Sequence, residues 1–197
     1  MAAAFQLPPA PRQMGVFENL IARQSETLIL REKVLSLTGD SFEIKLANGT
    51  PVLRVQGKVM SISGRKSLFD MAGNHLFDIV KEHLHIHTTF AVETPQGQKI
   101  MEVKSGFKLL GSKATATFTS SNGTAEILTM KGNWVDYSAE IHDQASNALV
   151  GRIDRKVLSG RDLLFGQQTY ALTVAPNMDM ALMAALCICM DEKNNDK

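Results

Sequence analysis

The fold is decided near the end of the chain, by the stretch Asn177-Met-Asp-Met-Ala-Leu-Met-Ala-Ala-Leu-Cys-Ile-Cys-Met190. No side chain from Met180 to Met190 is polar, so a helix formed here is apolar on every face and is either enclosed by protein or lies in a membrane. Its rise is only ~16 Å, about half of the ~30 Å that a membrane-spanning helix must cross. We therefore predict a helix buried inside the rest of the protein, with Asn177 as its cap and Asp179 in its first turn.

The chain before this helix has the pattern of short β-strands joined in pairs by turns. Turn sequences occur at Asn48-Gly49, Pro95-Gln-Gly97 and Ser121-Asn-Gly123, where glycine supplies the positive φ angle of a tight hairpin. Apolar and polar residues alternate in 84–92 and 135–141, as in antiparallel sheets with one solvated face. A closed barrel leaves no strand edge exposed, and a barrel that admits a helix needs more than about eight strands. We predict a mainly β protein: a closed antiparallel β-barrel that encloses the C-terminal hydrophobic α-helix.

Length and composition are those of an ordinary globular protein, with 197 residues, 44% hydrophobic residues, 21% charged residues and a net charge of +1. A net charge so close to zero disfavours a dedicated nucleic-acid binder. We predict a flexible, Pro-rich lead-in over 1–19, a single barrel domain over 20–193 and a polar tail over 194–197. The N-terminus lacks the features of a secretory signal, which predicts an intracellular, cytoplasmic protein and leaves membrane-peripheral and nuclear locations open. The short apolar segment predicts that there is no transmembrane segment.

The sequence offers little for catalysis. Cys187 and Cys189 are two residues apart on the proposed helix, so their side chains point about 200° apart and are expected to be small buried hydrophobes. The chain has no Gly-x-Ser-x-Gly motif and no spacing that suggests a Ser/His/Asp set. We predict a non-enzymatic protein without a cofactor.

Three histidines supply one catalytic alternative. His83, His85 and His87 alternate along a predicted strand and project from one face, with neighbours ~6.6 Å apart. Three imidazoles on one face suit zinc, copper or nickel with an open coordination position. The other interpretation is a solvated polar face, because Leu84 and Ile86 occupy the opposite face.

Basic residues crowd the segment from Gly151 to Asp162 and form further clusters in loops or at strand ends. The candidate anion-binding residues are Arg65, Lys66, Arg152, Arg155, Lys156 and Arg161. Guanidinium and ammonium groups at one rim of a barrel suit an inositol phosphate headgroup or an anionic membrane surface. Alternatively, Asp154 and Asp162 neutralise part of the cluster in ordinary surface ion pairs.

Three further segments carry a family resemblance. They are Phe69-Asp-Met-Ala-Gly-Asn-His-Leu76, Val150-Gly-Arg-Ile-Asp-Arg-Lys156, and Asp162-Leu-Leu-Phe-Gly166 followed by Thr169-Tyr-Ala-Leu-Thr-Val-Ala-Pro-Asn-Met-Asp179. With the apolar helix, they resemble the LURP-one-related proteins of the tubby C-terminal-like superfamily, to which phospholipid scramblases also belong. The resemblance covers roughly residues 20–193 and implies a twelve-stranded barrel around a central C-terminal helix.

The resemblance implies a binding function rather than a reaction. Tubby domains bind phosphoinositides through surface basic residues, although none of those positions matches this chain residue by residue. Our preferred hypothesis is a non-enzymatic tubby-like domain that binds phosphoinositides or anionic membrane surfaces through the basic rim. The alternatives are a protein-interaction or regulatory scaffold without a small ligand, and a metal-dependent enzyme that uses the three histidines.

Overall fold

A computed structural model of the chain describes residues 5–31, 41–57, 65–82, 88–106, 112–133, 138–154 and 169–195. Within these ranges the chain forms a single 3₁₀ turn (Glu18–Leu20), twelve β-strands and one α-helix. The strands are β1 (Glu26–Arg31), β2 (Ser41–Leu46), β3 (Pro51–Gly57), β4 (Lys66–Asp70), β5 (His75–Glu82), β6 (Thr89–Glu93), β7 (Lys99–Gly106), β8 (Ser112–Thr119), β9 (Ala125–Asn133), β10 (Ser138–Asp143), β11 (Leu149–Asp154) and β12 (Thr169–Val174), and the helix is α1 (Met180–Asn195).

The strands form one closed antiparallel barrel. Each strand pairs with the next along the chain, and β12 pairs back with β1, where Leu28 stands opposite Leu172. The predicted barrel is confirmed, with the twelve strands that the resemblance implied. Consecutive strands run in opposite directions. The end of the barrel at which the odd-numbered strands finish is therefore the end at which the even-numbered strands begin.

The turns and the alternation of side chains agree with the sequence pattern. Gly49 and Gly123 have φ angles of 90° and 84°, as their hairpin turns require. In β10, Ala139 and Ile141 face the interior, with 6% and 0% of their surface exposed, while Glu140 between them is exposed. The period-2 pattern therefore predicted correctly which face of this strand packs inward.

Helix α1 fills the barrel. Every residue from 181 to 190 is at most 2% exposed, so the predicted central helix is confirmed. The barrel wall and α1 approach closely at Gly151 on β11, where an added Cβ atom would lie 2.3 Å from Met183 Cε. The helix continues to Asn195, so the first two residues of the predicted polar tail are helical, while 196 and 197 lie outside the described residues.

Asp179, rather than Asn177, caps α1. The Asp179 Oδ1 atom accepts hydrogen bonds from the backbone N–H groups of Ala181 (2.9 Å) and Leu182 (3.3 Å), which is the geometry of an N-cap residue. Asn177 has a φ angle of 72° and belongs to the preceding turn, where its backbone N–H donates to the Ala22 carbonyl at 2.8 Å.

The N-terminal residues 5–25, which we call the strap, cross the barrel end at which α1 begins. We call this end the capped end and the opposite one the far end. Leu7, Ala10 and Met14 of the strap are 4%, 3% and 0% exposed and join the core. The prediction of a flexible lead-in is therefore wrong for residues 5–19, because the barrel end offers an apolar surface that the local sequence does not reveal. Residues 1–4 lie outside the described part.

Candidate functional site

Arg152 of the predicted anion-binding set lies on the outer surface of the barrel, opposite Thr173, which is one residue before β12 ends at the capped end. It stands on β11, two residues before that strand ends, and its side chain is 37% exposed. Its Nη2 atom is 3.7 Å from Asp154 Oδ2, and the guanidinium carbon lies 4.7 Å from the centre of the Phe5 ring, as in a cation–π contact. One long ion pair leaves most of the five guanidinium N–H donors available to an added anion.

Arg65 is held by a carboxylate. Its Nη1 atom lies 2.6 Å from Asp78 Oδ2. Asp78 also accepts a hydrogen bond from Ser67 Oγ at 2.5 Å and lies 2.9 Å from His75 Nε2. Burial alone would raise the pKa of Asp78, but the contacts with Ser67, Arg65 and His75 together lower it. Arg65 is therefore committed to an internal counter-charge.

Lys66 points into the barrel. It is 1% exposed, and its Nζ atom lies 2.6 Å from Glu192 Oε2 on α1. Leu68, two residues further along β4, is fully buried on the same inner face, because every second residue of a strand points to the same side. The prediction of Lys66 as an anion-binding surface residue is therefore wrong, because the alternation of side chains along β4 turns Lys66 inward. Arg65 precedes β4 and is not subject to this alternation.

The structure does not bring the described basic residues together. Arg65 precedes β4 and Arg152 lies on β11, and these strands are separated by β3, β2, β1 and β12 on the shorter way round the barrel. The two residues therefore lie on different sides of the barrel. Arg155, Lys156 and Arg161 lie outside the described residues.

The predicted histidine metal site, His83, His85 and His87, also lies outside the described residues. In the ranges that the structure describes, no group of three or more histidine, cysteine, aspartate or glutamate residues is placed to hold a metal ion.

Both cysteines are buried in the middle of the barrel, as predicted. Cys187 and Cys189 are 0% exposed, and burial raises the pKa of both thiols. A thiol that stays protonated and out of reach of solvent is a poor nucleophile.

Sequence reasoning missed a charged cluster at the capped end. Arg12 of the strap donates hydrogen bonds to both carboxylate oxygens of Glu126: Nε lies 3.1 Å from Oε1, and Nη2 makes a shorter contact with Oε2. Arg12 Nη1 also lies 2.9 Å from Asp143 Oδ2, and Nη2 lies 3.1 Å from Asp143 Oδ1. The two carboxylate side chains are 0% exposed. A signal was present, since Glu126 shares the inner face of β9 with Leu128 and Met130. A charge at an inward position needs a partner, and the strap supplies it.

The electrostatics of this cluster follow from its contacts. The hydrogen bonds with Glu126 and Asp143 raise the pKa of Arg12. Burial alone would raise the pKa of Asp143, but hydrogen bonds from Arg12, Ser146 and Ala145 lower it to about 2. Arg12 therefore anchors the strap to Glu126 and Asp143.

A second anchor joins the strap to the start of α1. The Asp179 Oδ2 atom accepts hydrogen bonds from the backbone N–H groups of Val16 (2.9 Å) and Phe17 (2.8 Å). Burial raises the pKa of Asp179. Gly15 passes so close that a Cβ atom on it would lie 2.4 Å from Asp179 Cβ and 2.7 Å from Ile21 Cδ1. The backbone of the strap is therefore fixed against the helix.

A cleft of about 330 Å³ opens at the capped end, between the strap and the turn that joins β4 to β5. It is lined by Phe17, Glu18, Asn19, Leu20, Asp70 and Leu76. The lining thus combines two carboxylates and an amide with three apolar side chains.

No helix in the described part of the chain is both long and apolar enough to cross a membrane.

Comparisons with known proteins agree with this architecture. A family model described as LURP-one-related matches residues 26–191. Protein LURP-one-related 10 of Arabidopsis thaliana is 25% identical over 189 residues, which cover 92% of this chain and 96% of that protein. Protein LURP-one-related 15 from the same plant is 25% identical, with 95% and 90% covered. An X-ray structure of an Arabidopsis thaliana protein has a TM-score of 0.59 at 18% identity, with 91% of this chain and 97% of that chain covered, and shows the shared fold.

Proposed function

Because this chain belongs to the LURP-one-related family, we propose that it is a non-catalytic tubby-like domain that binds anionic membrane lipids, in particular phosphoinositides, through the basic segment that begins at Arg152 on β11. The proposal puts the protein in the cytoplasm, at the surface of a membrane. The residues that would carry binding are Arg152, Arg155, Lys156 and Arg161.

The observation that carries the proposal is the position of Arg152. The barrel interior is filled by α1, so a ligand is expected on the outer surface. Arg152 lies there with an exposed side chain and a loose ion pair of 3.7 Å, directly before the basic residues that follow β11 in the sequence. Arginine is well suited to phosphate oxygens because its N–H groups bind two of them at once.

The test is sedimentation of the purified protein with liposomes that carry one phosphoinositide each, at about 0.15 M salt, where screening weakens non-specific attraction. We expect headgroup-selective binding that is lost in the double variant Arg152→Glu/Arg155→Glu. The matched control is Arg23→Glu/Lys45→Glu, which makes the same change in net charge on the strap and on β2, outside the basic segment, and should bind as the wild type does. Equal loss in both variants would show attraction by net charge alone and contradict the proposal.

A protein-interaction scaffold is the second candidate, and the surface ion pairs favour it. Lys99 Nζ lies 2.6 Å from Glu82 Oε1, and Lys104 Nζ lies 2.6 Å from Glu102 Oε1. Basic groups that are neutralised within the chain contribute little to lipid attraction. If the liposomes bind no protein with any headgroup, the scaffold becomes the preferred function.

A further inference from the structure

We propose that the cleft between the strap and the β4–β5 turn is a docking site for a short segment of a partner protein, in which a lysine or arginine stands next to an apolar residue. The cleft lies beside the β4–β5 turn, whereas Arg152 stands on β11, which β12, β1, β2 and β3 separate from β4, so this inference is independent of lipid binding.

The strap wall of the cleft is formed before any partner arrives. Asp179 holds the backbone N–H of Phe17 at 2.8 Å, and the Leu20 N–H closes the 3₁₀ turn on the Phe17 carbonyl at 2.9 Å. The Phe17 ring packs against Phe77, with ring centres 5.6 Å apart. A preformed wall favours binding, because little conformational freedom is lost when the partner docks.

The opposite wall is fixed by the β4–β5 turn. Asp70 Oδ1 accepts the backbone N–H of Asn74 at 2.8 Å, and Asp70 Oδ2 accepts the Asn74 side-chain amide at 2.7 Å. The side-chain hydrogen bond from Asn74 is the largest cause that lowers the pKa of Asp70. This carboxylate is therefore ionised at neutral pH and held at the edge of the cleft.

The charge of the cleft selects a cationic partner. Glu18 is exposed and, within the described part of the chain, makes no ion pair. No lining residue is basic, and Asp70 likewise makes no ion pair with a described residue, so Glu18 and Asp70 give the described lining two negative charges. A lysine or arginine side chain supplies the complementary charge and N–H donors for both carboxylates.

The apolar part of the lining selects the neighbouring residue of the partner. Phe17, Leu20 and Leu76 are partly buried and pack against the core, which leaves part of each apolar side chain to the cleft. At the tip of the turn, Met71 is 44% exposed and extends the apolar surface outward. An apolar side chain beside the cation would cover this surface.

The size and shape of the cleft favour a protein segment over a small molecule. Its volume of about 330 Å³ is at the lower end of the range for small-molecule pockets, which enclose most of their ligand. This cleft is open to solvent on one side. It can admit one or two side chains while the backbone that carries them stays outside.

The experiment is an NMR titration of the full, isotope-labelled chain with two short synthetic peptides. The first alternates lysine and arginine with leucine and phenylalanine; the second keeps the apolar residues and replaces every basic residue with glutamate. We expect the basic peptide alone to shift the backbone amide signals of residues 17–20 and 70–76. Glu18→Gln should weaken its binding about fivefold, as loss of one exposed ion pair implies, and added salt should weaken it as well.

The matched control is Glu140→Gln, which neutralises an exposed carboxylate on the outer face of β10 and should keep the wild-type affinity. Equal binding of the acidic peptide, unchanged affinity in Glu18→Gln, or signal shifts confined to other regions would each overturn the proposal. Lysine amide is titrated in parallel. If it binds as tightly as the basic peptide, the cleft is a small-cation site and not a docking site for a partner segment.

Discussion

Removal of the Arg12 side chain should detach the strap from the barrel and destabilise the protein. Arg12→Ala leaves the carboxylates of Glu126 and Asp143, both 0% exposed, without their cation. Loss of one partner from a buried ion pair costs about 3–5 kcal/mol. Because the Arg12 side chain is 32% exposed, water can reach part of the site in the variant, so we expect about 3 kcal/mol. For a chain of this size that corresponds to a fall in Tm of about 6–12 °C.

The assay is thermal and urea unfolding followed by circular dichroism, with Arg23→Ala as the control. Arg23 belongs to the same strap but is exposed, so its removal should change the free energy of unfolding by less than about 0.5 kcal/mol. Adding Glu126→Gln and Asp143→Asn to Arg12→Ala should restore part of the stability, because the uncompensated charges are then gone. If Arg12→Ala melts together with Arg23→Ala, the anchoring role of Arg12 is refuted.

The stability that is lost in Arg12→Ala should depend on pH. The pKa of Asp143 is lowered from 3.8 to about 2 in the folded protein. A carboxylate with a lowered folded pKa contributes stability that is fully present above its unfolded pKa and disappears as the pH falls through the folded value. The difference in unfolding free energy between the wild type and Arg12→Ala should therefore be constant above about pH 5 and shrink between about pH 4 and pH 2. A difference that does not change with pH would show that Arg12 acts through packing alone.

Two further predictions concern the core. Gly15→Ala should lower the free energy of unfolding by about 1–3 kcal/mol, because the added Cβ atom would overlap Asp179. The control is Gly57→Ala, whose added Cβ atom meets nothing within 4 Å and which should change the stability much less. Equal unfolding midpoints for the two variants would contradict the close contact between strap and helix. Ala184→Asp should abolish soluble expression, because it puts an unpaired charge at a position that is 0% exposed inside the barrel; a variant that expresses and melts like the wild type would show that α1 is not the core.

Local periodicity was sufficient to predict the architecture. The apolar run from Met180 to Met190 has no polar face and is too short to cross a membrane, so an enclosed helix follows from composition and length together. Alternation in β10 likewise assigned Ala139 and Ile141 to the inside. These features are encoded within a few neighbouring residues, which is why they can be recognised before the structure is known.

The arrangement of charges was decided by the tertiary structure. The sequence shows that Glu126 lies on an apolar face and needs a partner, but Arg12 is remote in the chain and meets it only because the closed barrel offers an end for the strap to cross. The sequence also shows Arg65 and Lys66 as one basic pair, whereas the pleat of β4 turns Lys66 towards Glu192 on the helix. Ion pairs form between groups that the fold brings within a few ångströms, and sequence separation carries no information about that distance.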